Sequence, residues 1–208
     1  MIEADEARRY YAETRDPAHD FDHVLRVTAL AERIARAEGA DVAIVRAAAL
    51  LHDVGRGDRS GRDHAEVAAE RSRDILRAHP PEKVEAVAQA ILQHRFRSGP
   101  PPATLEARCL FDADKLDSIG ASGVARAFAY SGVIGQRLWG EVAPDYLERF
   151  ARGEIRPGEH TSHHEYVVKL SRLHEQMTTQ TGRAIADERH AVMATFYNRL
   201  AREMRGEA

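Results

Sequence analysis

Apolar residues recur at intervals of three and four along nearly every long segment of this chain, and no segment alternates them convincingly. Val24, Val27, Ala31 and Ile34 form the first such series, and Gly39 offers it a C-terminal stop. Asp41 can cap a second, in which Val42, Val45, Ala48, Ala49 and Leu51 face inward until Gly55 and Gly57 break it. Ser60 with Asp63 resembles a capping box for a helix through Val67, Ala68 and Ile75. His79-Pro80-Pro81 sets its end, because a residue before proline is pushed out of the helical region. The spacing predicts another helix from about Glu82 to Phe96, then a loop at Ser98-Gly99-Pro100-Pro101-Pro102. Leu105 to Val133 is helical again, with Gly120, Gly123 and Gly132 as turns or close helix contacts. A polar connector, Arg152 to Thr161, precedes a last pair of helices, roughly Ser162 to Gln176 and Thr181 to Arg205. In the latter, Ile185, Val192, Phe196, Leu200 and Met204 share a stripe that Arg189 interrupts. Burying such a stripe is worth roughly 1.5–3 kcal/mol for each large apolar side chain.

The expected fold class is therefore all-α, a helical bundle. Residues 1–208 are expected to form one domain, with a core at about 20–135 and a C-terminal helical extension at about 162–205 packed back on it. Apolar residues make up 43% and charged residues 30% of the 208, and the net charge of −3 is spread along the chain. That balance gives no reason to expect nucleic acid or an acidic membrane as the main partner. Cys109, the only cysteine, precludes an intrachain disulfide, and its apolar flank favours a buried inert thiol. The acidic start lacks a signal-peptide pattern and no window approaches the ~18 apolar residues of a membrane span, so a cytoplasmic location is expected.

Four separated stretches carry residues able to hold one metal ion: His23 in FDHVLRV, His52-Asp53 in ALLHDVGR and Asp114 in LFDADKLDS. Two imidazoles and two carboxylates suit a hard or borderline divalent ion that keeps positions open for water and substrate. His52 and Asp53 would point about 100° apart on a continuous helix. The glycines that follow place them at a helix end, where both can reach one ion; a solvent-facing cap is the plainer alternative. Asp114 and Asp117 share a helix face, whereas Asp112 points elsewhere and reads as solvated. Asp117 either holds a ligating histidine or a backbone amide, or acts in catalysis. His64, in the first turn of a helix, and His94, at the end of another, are satisfied histidines, phosphate contacts or ligands of a second metal.

With these residues in view, the chain resembles the HD superfamily of metal-dependent phosphohydrolases. It is most similar to a bacterial branch reading ALLHDIG, then a HAE-like helix start, then DADRLD-IGA-G-ARAF. Here those stretches are ALLHDVG, DHAEVAA and DADKLDSIGASGVARAFAYSG, and Thr161–Leu170 and Ala186–His190 extend the resemblance over most of the chain. The resemblance implies an all-helical domain in which His23, His52, Asp53 and Asp114 coordinate one divalent ion, with Mn2+ favoured and Mg2+, Co2+, Fe2+, Ni2+ or Zn2+ as alternatives. It also implies a small-molecule phosphate ester or nucleotide as partner, and nucleoside or deoxynucleoside triphosphate pyrophosphohydrolysis as the activity. Related nucleotidases carry a glutamate three residues after the dyad, where this chain has Arg56; the arginine is a donor for phosphate oxygens instead.

The expected mechanism is attack on a phosphoryl group by a water whose pKa the ion lowers. Arg56, His64, His94, Lys115, His164 and Lys169 supply positive charge or donors, and Asp58 is the nearest carboxylate able to orient the water. Lys169 reads equally as an ordinary surface lysine. Phe128, Tyr130 and Trp139 are candidates to line a base pocket, against a plainer reading as core. The competing functions are a nucleotidase or cyclic-nucleotide phosphodiesterase, and a nonenzymatic nucleotide-binding regulatory module. A monomer or a homodimer is expected.

Overall fold

The computed structural model describes residues 1–11, 18–95 and 101–208. Among them lie α1 (Ala4–Arg8), α2 (Phe21–Glu38), α3 (Val42–Leu51), α4 (His64–Ile75), α5 (Pro81–Leu92), α6 (Leu105–Asp117), α7 (Gly120–Val133), α8 (Tyr146–Ala151), α9 (Ser162–Val168), a 3-10 helix (Leu170–Gln176) and α10 (Gln180–Met204). No strand occurs among the described residues, so the fold is an all-α bundle. No described helix is long and apolar enough to cross a membrane.

α2 is the centre of the bundle and packs against α3 and α6, while α5 packs against α3 and α4. Val24, Val27, Ala31 and Ile34 are all fully buried on α2, as are Val45, Ala48, Ala49 and Leu51 on α3. Short polar side chains start these helices by accepting orphan amides. Asp20 accepts from the His23 amide, Asp41 from those of Ala43 and Ile44, and Thr104 from that of Ala107. Gly39 ends α2 in the left-handed region, at φ 81°, where a side chain would be strained. Cys109 is a buried free thiol, and burial pushes its pKa up to about 12.

Several boundaries differ from the sequence expectation. Asp63, not Ser60, caps α4 by accepting from the Ala65 amide, and Ser60 instead bonds Asp58. α5 ends at Leu92, short of Phe96; Phe96 and most of the proline-rich loop lie outside the described residues. The 105–133 segment divides at Ser118-Ile119, after which Gly120 adopts φ +80°. The helix expected at 162–176 breaks at Lys169, where the backbone leaves the helical region and resumes as the 3-10 helix.

The C-terminal helices do pack on the same core, but α10 is rotated relative to the expected stripe. Ile185, Ala186, Met193 and Tyr197 are buried, whereas Val192 is 49% and Phe196 39% exposed, and Met204 is exposed too. The inward face is decided by Tyr197, whose ring stacks on Tyr166 with centroids 4.2 Å apart. Arg189, the apparent flaw in the stripe, donates to the Leu116 carbonyl at 2.6 Å and so ties α10 to the end of α6.

Asp112 corrects a second expectation. It is fully buried, and its carboxylate accepts from the backbone amides and hydroxyls of Thr178 and Thr179. The residue read as a solvated acidic face is the joint between α6 and the C-terminal arm.

Candidate metal centre

Five helices bring their ends or faces to one point. α2 supplies His23, the end of α3 supplies His52 and Asp53, the start of α4 supplies His64, the end of α5 supplies His94 and α6 supplies Asp114. His23, His52 and Asp114 each present one ligand atom within 4.8 Å of the others, and Asp53, His64 and His94 form a second such group. The groups are contiguous. His23 Nε2 lies 3.5 Å from Asp114 Oδ1 and 3.7 Å from Asp53 Oδ2, and His52 Nε2 lies 3.6 Å from Asp53 Oδ2. His64 Nε2 is 3.6 Å from Asp53 Oδ1.

The protonation of three rings follows from their neighbours. His52 Nδ1 lies 2.7 Å from the Ala49 carbonyl and His94 Nδ1 2.5 Å from the Ile91 carbonyl. A carbonyl only accepts, so both Nδ1 atoms carry the proton and both Nε2 atoms keep a lone pair. His23 Nδ1 lies 2.8 Å from Asp117 Oδ2, which fixes its ring the same way. The Nε2 atoms of His23 and His52 then face each other at 3.4 Å. Two lone pairs in that position repel unless a cation lies between them. Asp53 Oδ1 and His64 Nε2 are buried with no hydrogen-bond partner, which is costly for a site without an ion. The residues fit a divalent cation, and the chain carries a His/Asp site for one.

The electrostatics agree. Burial lowers the pKa of His52, and burial with Arg56 lowers that of His64 to about 4. Burial with His52 lowers that of His94 to about 3. These rings are neutral at neutral pH, the form that ligates metal. Burial alone would raise Asp53 and Asp114; the charges of Arg56 beside the first and Lys115 beside the second oppose that and keep both ionised. Asp117 is held at about 2 against burial by its bonds with His23 and Arg26.

The other expected site residues are distributed unevenly. Arg56 Nε donates to Asp53 Oδ2 at 2.5 Å. Lys115 is buried with Nζ on Asp114 Oδ2 at 2.9 Å and on the His94 carbonyl at 2.7 Å, so it neutralises Asp114 from within the protein. Lys169 joins Arg56, His64, His94, Asp114 and Lys115 in the wall of a chamber of about 320 Å³. Asp58 stands apart, bonding Ser60 and lying 3.8 Å from Arg71. His164 also stands apart. It is buried, bonded to Thr161, and its ring lies 4.2 Å from that of Tyr146. Trp139 stacks on His163 at 3.8 Å and Phe128 packs against Phe196 and Tyr197, and neither lines the chamber.

Beside the chamber opens a polar basin of about 940 Å³, walled by Arg56, Arg62, Arg71 and Arg95 against Asp53, Asp58 and Asp63. His19, Arg56, His64 and Arg95 line both spaces. Three arginines here escaped sequence reasoning. Arg26 donates to both oxygens of Asp117, at 2.8 and 3.1 Å, and sits three residues after His23, one turn along the same face. Arg126 bonds Ser118 and approaches Asp117 at 3.5 Å, from within the GVARAF stretch. Arg95, bound to Asp63, adjoins His94.

Residues 20–119, which include every residue of both ligand groups, match the family described as HD domain. Over 192 residues the chain is 32% identical to an uncharacterized protein, YpgQ, of Bacillus subtilis, covering 90% of this chain and 85% of that one. The crystal structure of YpgQ in complex with ADP superposes with a TM-score of 0.76 at 30% identity, covering 99% of this chain and 100% of that chain. A Lactobacillus plantarum protein superposes with a TM-score of 0.73 at 30% identity, covering 98% and 95% of the two chains. A predicted HD superfamily hydrolase from an uncultured Thermotogales bacterium does so at 0.68 and 29%, covering 97% and 90%. A ligand cluster drawn from the matched segment and a relative aligned across most of both chains lead to one assignment: the chain belongs to the HD-domain family.

Proposed function

We propose that this chain is a metal-dependent phosphohydrolase that cleaves nucleoside or deoxynucleoside triphosphates to monophosphate and pyrophosphate. The observation that carries the reading is the position of the His/Asp cluster at the wall of an arginine-lined basin. A phosphoryl group at the cluster can extend the rest of a polyphosphate into that basin, and guanidinium groups pair with phosphate oxygens in forked geometry. The ADP bound to YpgQ supports a nucleotide as ligand.

In this reading His23, His52, Asp53 and Asp114 hold the ion, Mn2+ by preference, and Asp117 orients His23. A bound ion would lower the pKa of a water and polarise the phosphoryl oxygens. Arg56 and Lys169 donate to oxygens of the α-phosphate as charge builds there. The water oxygen bonds to the α-phosphorus, the bond to the α–β bridging oxygen breaks, and pyrophosphate departs among Arg62, Arg71 and Arg95. His64 stands where it can take the proton that the water loses, because its Nε2 has no other partner. Asp58 lies at the basin wall and is better suited to position Arg71.

The test is a product screen over nucleoside triphosphates, monophosphates and cyclic nucleotides, after chelation and resupply of single divalent ions. Monophosphate and pyrophosphate should form only with metal, and His52→Ala and Asp53→Ala should lose both metal and turnover while keeping their helicity. Orthophosphate or a linearised cyclic nucleotide as the product would assign another HD chemistry. Tight nucleotide binding with no turnover under any ion would make the chain a binding module.

A further inference from the structure

A second cavity, of about 310 Å³, adjoins the metal chamber. His19, Ser118, Arg126 and Lys169 wall both spaces, so one elongated ligand can occupy them together. We propose that this cavity seats the nucleobase of the substrate, with Gln136 as the residue that reads the base. The inference rests on the preceding reading only for where the phosphates lie.

Its lining changes character with distance from the metal. The shared mouth is cationic, with Arg126 and Lys169, as suits sugar and phosphate. Further in, Ala127, Tyr130 and Leu170 offer apolar surface for a flat ring. Tyr130 is 41% exposed, so its ring has no full set of protein contacts to give up.

Polar recognition comes from a small network. Ser131 Oγ donates to Gln136 Oε1 at 2.9 Å and accepts from Ser162 Oγ at 2.7 Å, whose oxygen also lies 3.2 Å from the Ala127 carbonyl. Both serines are buried, so the network is rigid. With Ser131 donating, Oε1 is the bound end of the Gln136 amide. Gln136 Nε2 then presents two N–H donors with no acceptor among the described residues. Ring nitrogens and carbonyls on a base edge are acceptors of the matching kind. Glu165, also in the wall, already holds His160 at 3.2 Å and Lys169 at 2.9 Å, and so sets the position of the lysine at the mouth. A base-free polyphosphate would fill the chamber and basin and leave this cavity unused.

Equilibrium dialysis in Mn2+, with ADP, GDP, CDP, UDP and inorganic pyrophosphate as probes, tests the assignment on wild type, Gln136→Leu, Gln136→Glu and Tyr130→Ala. These positions are half-buried or exposed, so the variants should fold, and a thermal melt checks that they do. Wild type should bind at least one nucleotide about tenfold more tightly than pyrophosphate. Gln136→Leu should remove about that factor, Gln136→Glu should reorder the four bases by replacing donors with acceptors, and pyrophosphate affinity should not change. Tyr130→Ala should weaken all four nucleotides alike and spare pyrophosphate. Nucleotides bound no better than pyrophosphate, or Gln136 variants that preserve the order of the bases, would overturn the base seat. Turnover of triphosphates by wild type, measured in parallel, judges the hydrolase reading separately: its absence would refute that reading and leave the binding result intact.

Discussion

Asp112→Asn should unfold the C-terminal arm from the core before anything else in the molecule changes. The native carboxylate is fully buried and receives four hydrogen bonds. Oδ1 accepts from the Thr178 amide and hydroxyl, both at 2.9 Å, and Oδ2 from the Thr179 amide at 2.8 Å and hydroxyl at 2.6 Å. Asparagine keeps the shape but makes one acceptor a donor. Whichever way its amide settles, one backbone N–H then faces an N–H. A hydroxyl can rotate away from that conflict; a backbone amide cannot. An unpaired buried N–H costs roughly 1–3 kcal/mol, and the bonds that survive lose their ionic acceptor. The Thr179 hydroxyl also caps α10 by accepting from the Gly182 amide at 2.9 Å, so turning it to suit the substituted side chain would weaken the cap. A total near ~3 kcal/mol follows.

For a chain of this length ~3 kcal/mol lowers the melting temperature by about 6–12 °C. Asp112→Ala, which strands all four donors, should cost more. Calorimetric melts measure the shift, and limited proteolysis shows whether new cleavage concentrates between Leu170 and Ile185. An asparagine variant melting within about 2 °C of wild type, with unchanged protection, would show that these bonds do not hold the arm.

Two further outcomes follow from the site's supports. Asp117→Asn should weaken metal binding by about 10–100-fold, measured by titration calorimetry, because His23 loses the anion that orients its ring; unchanged affinity would sever that link. Gly55→Ala should lower stability by about 1–3 kcal/mol in urea unfolding, since its Cβ would meet the His64 carbonyl at 2.3 Å and the Ala68 amide at 2.8 Å, and a wild-type midpoint would mean that α4 can move aside freely.

The parts of the fold that were legible in the sequence are those fixed by local spacing. The apolar series of α2 and α3 are buried as read, except Val42, which is half-buried at the start of α3, because α2, α3 and α6 pack on one another. Hydropathy failed where a distant partner decides the outcome. On α10 it favoured Phe196 over the adjacent Tyr197, yet Tyr197 is buried because Tyr166 offers it a ring. Asp112 had no local sign of burial, since the threonines that satisfy it lie 66 and 67 residues further on. Thr179 caps α10, and only the packed structure shows that the same hydroxyl, with that of Thr178, also serves a carboxylate on α6.

In the candidate site, residue types and order were legible, and the reason is a local device used twice. His52 directly follows the apolar run of α3, and His94 stands two residues past the end of α5. A helix end leaves carbonyls without partners. Each imidazole bonds back to the carbonyl three residues earlier through Nδ1, which turns Nε2 outward with its lone pair. An apolar helix that stops at a histidine is thus already half of a metal ligand, before any tertiary contact forms. What spacing could not supply is the meeting of the two ends. That depends on Gly55, taken from sequence as a simple helix breaker, whose missing side chain admits the backbone of α4. Its backbone is not in the left-handed region, so the demand for glycine comes from this close approach and not from a turn. The approach carries His64 to within reach of Asp53, and it joins the dyad to the second ligand group.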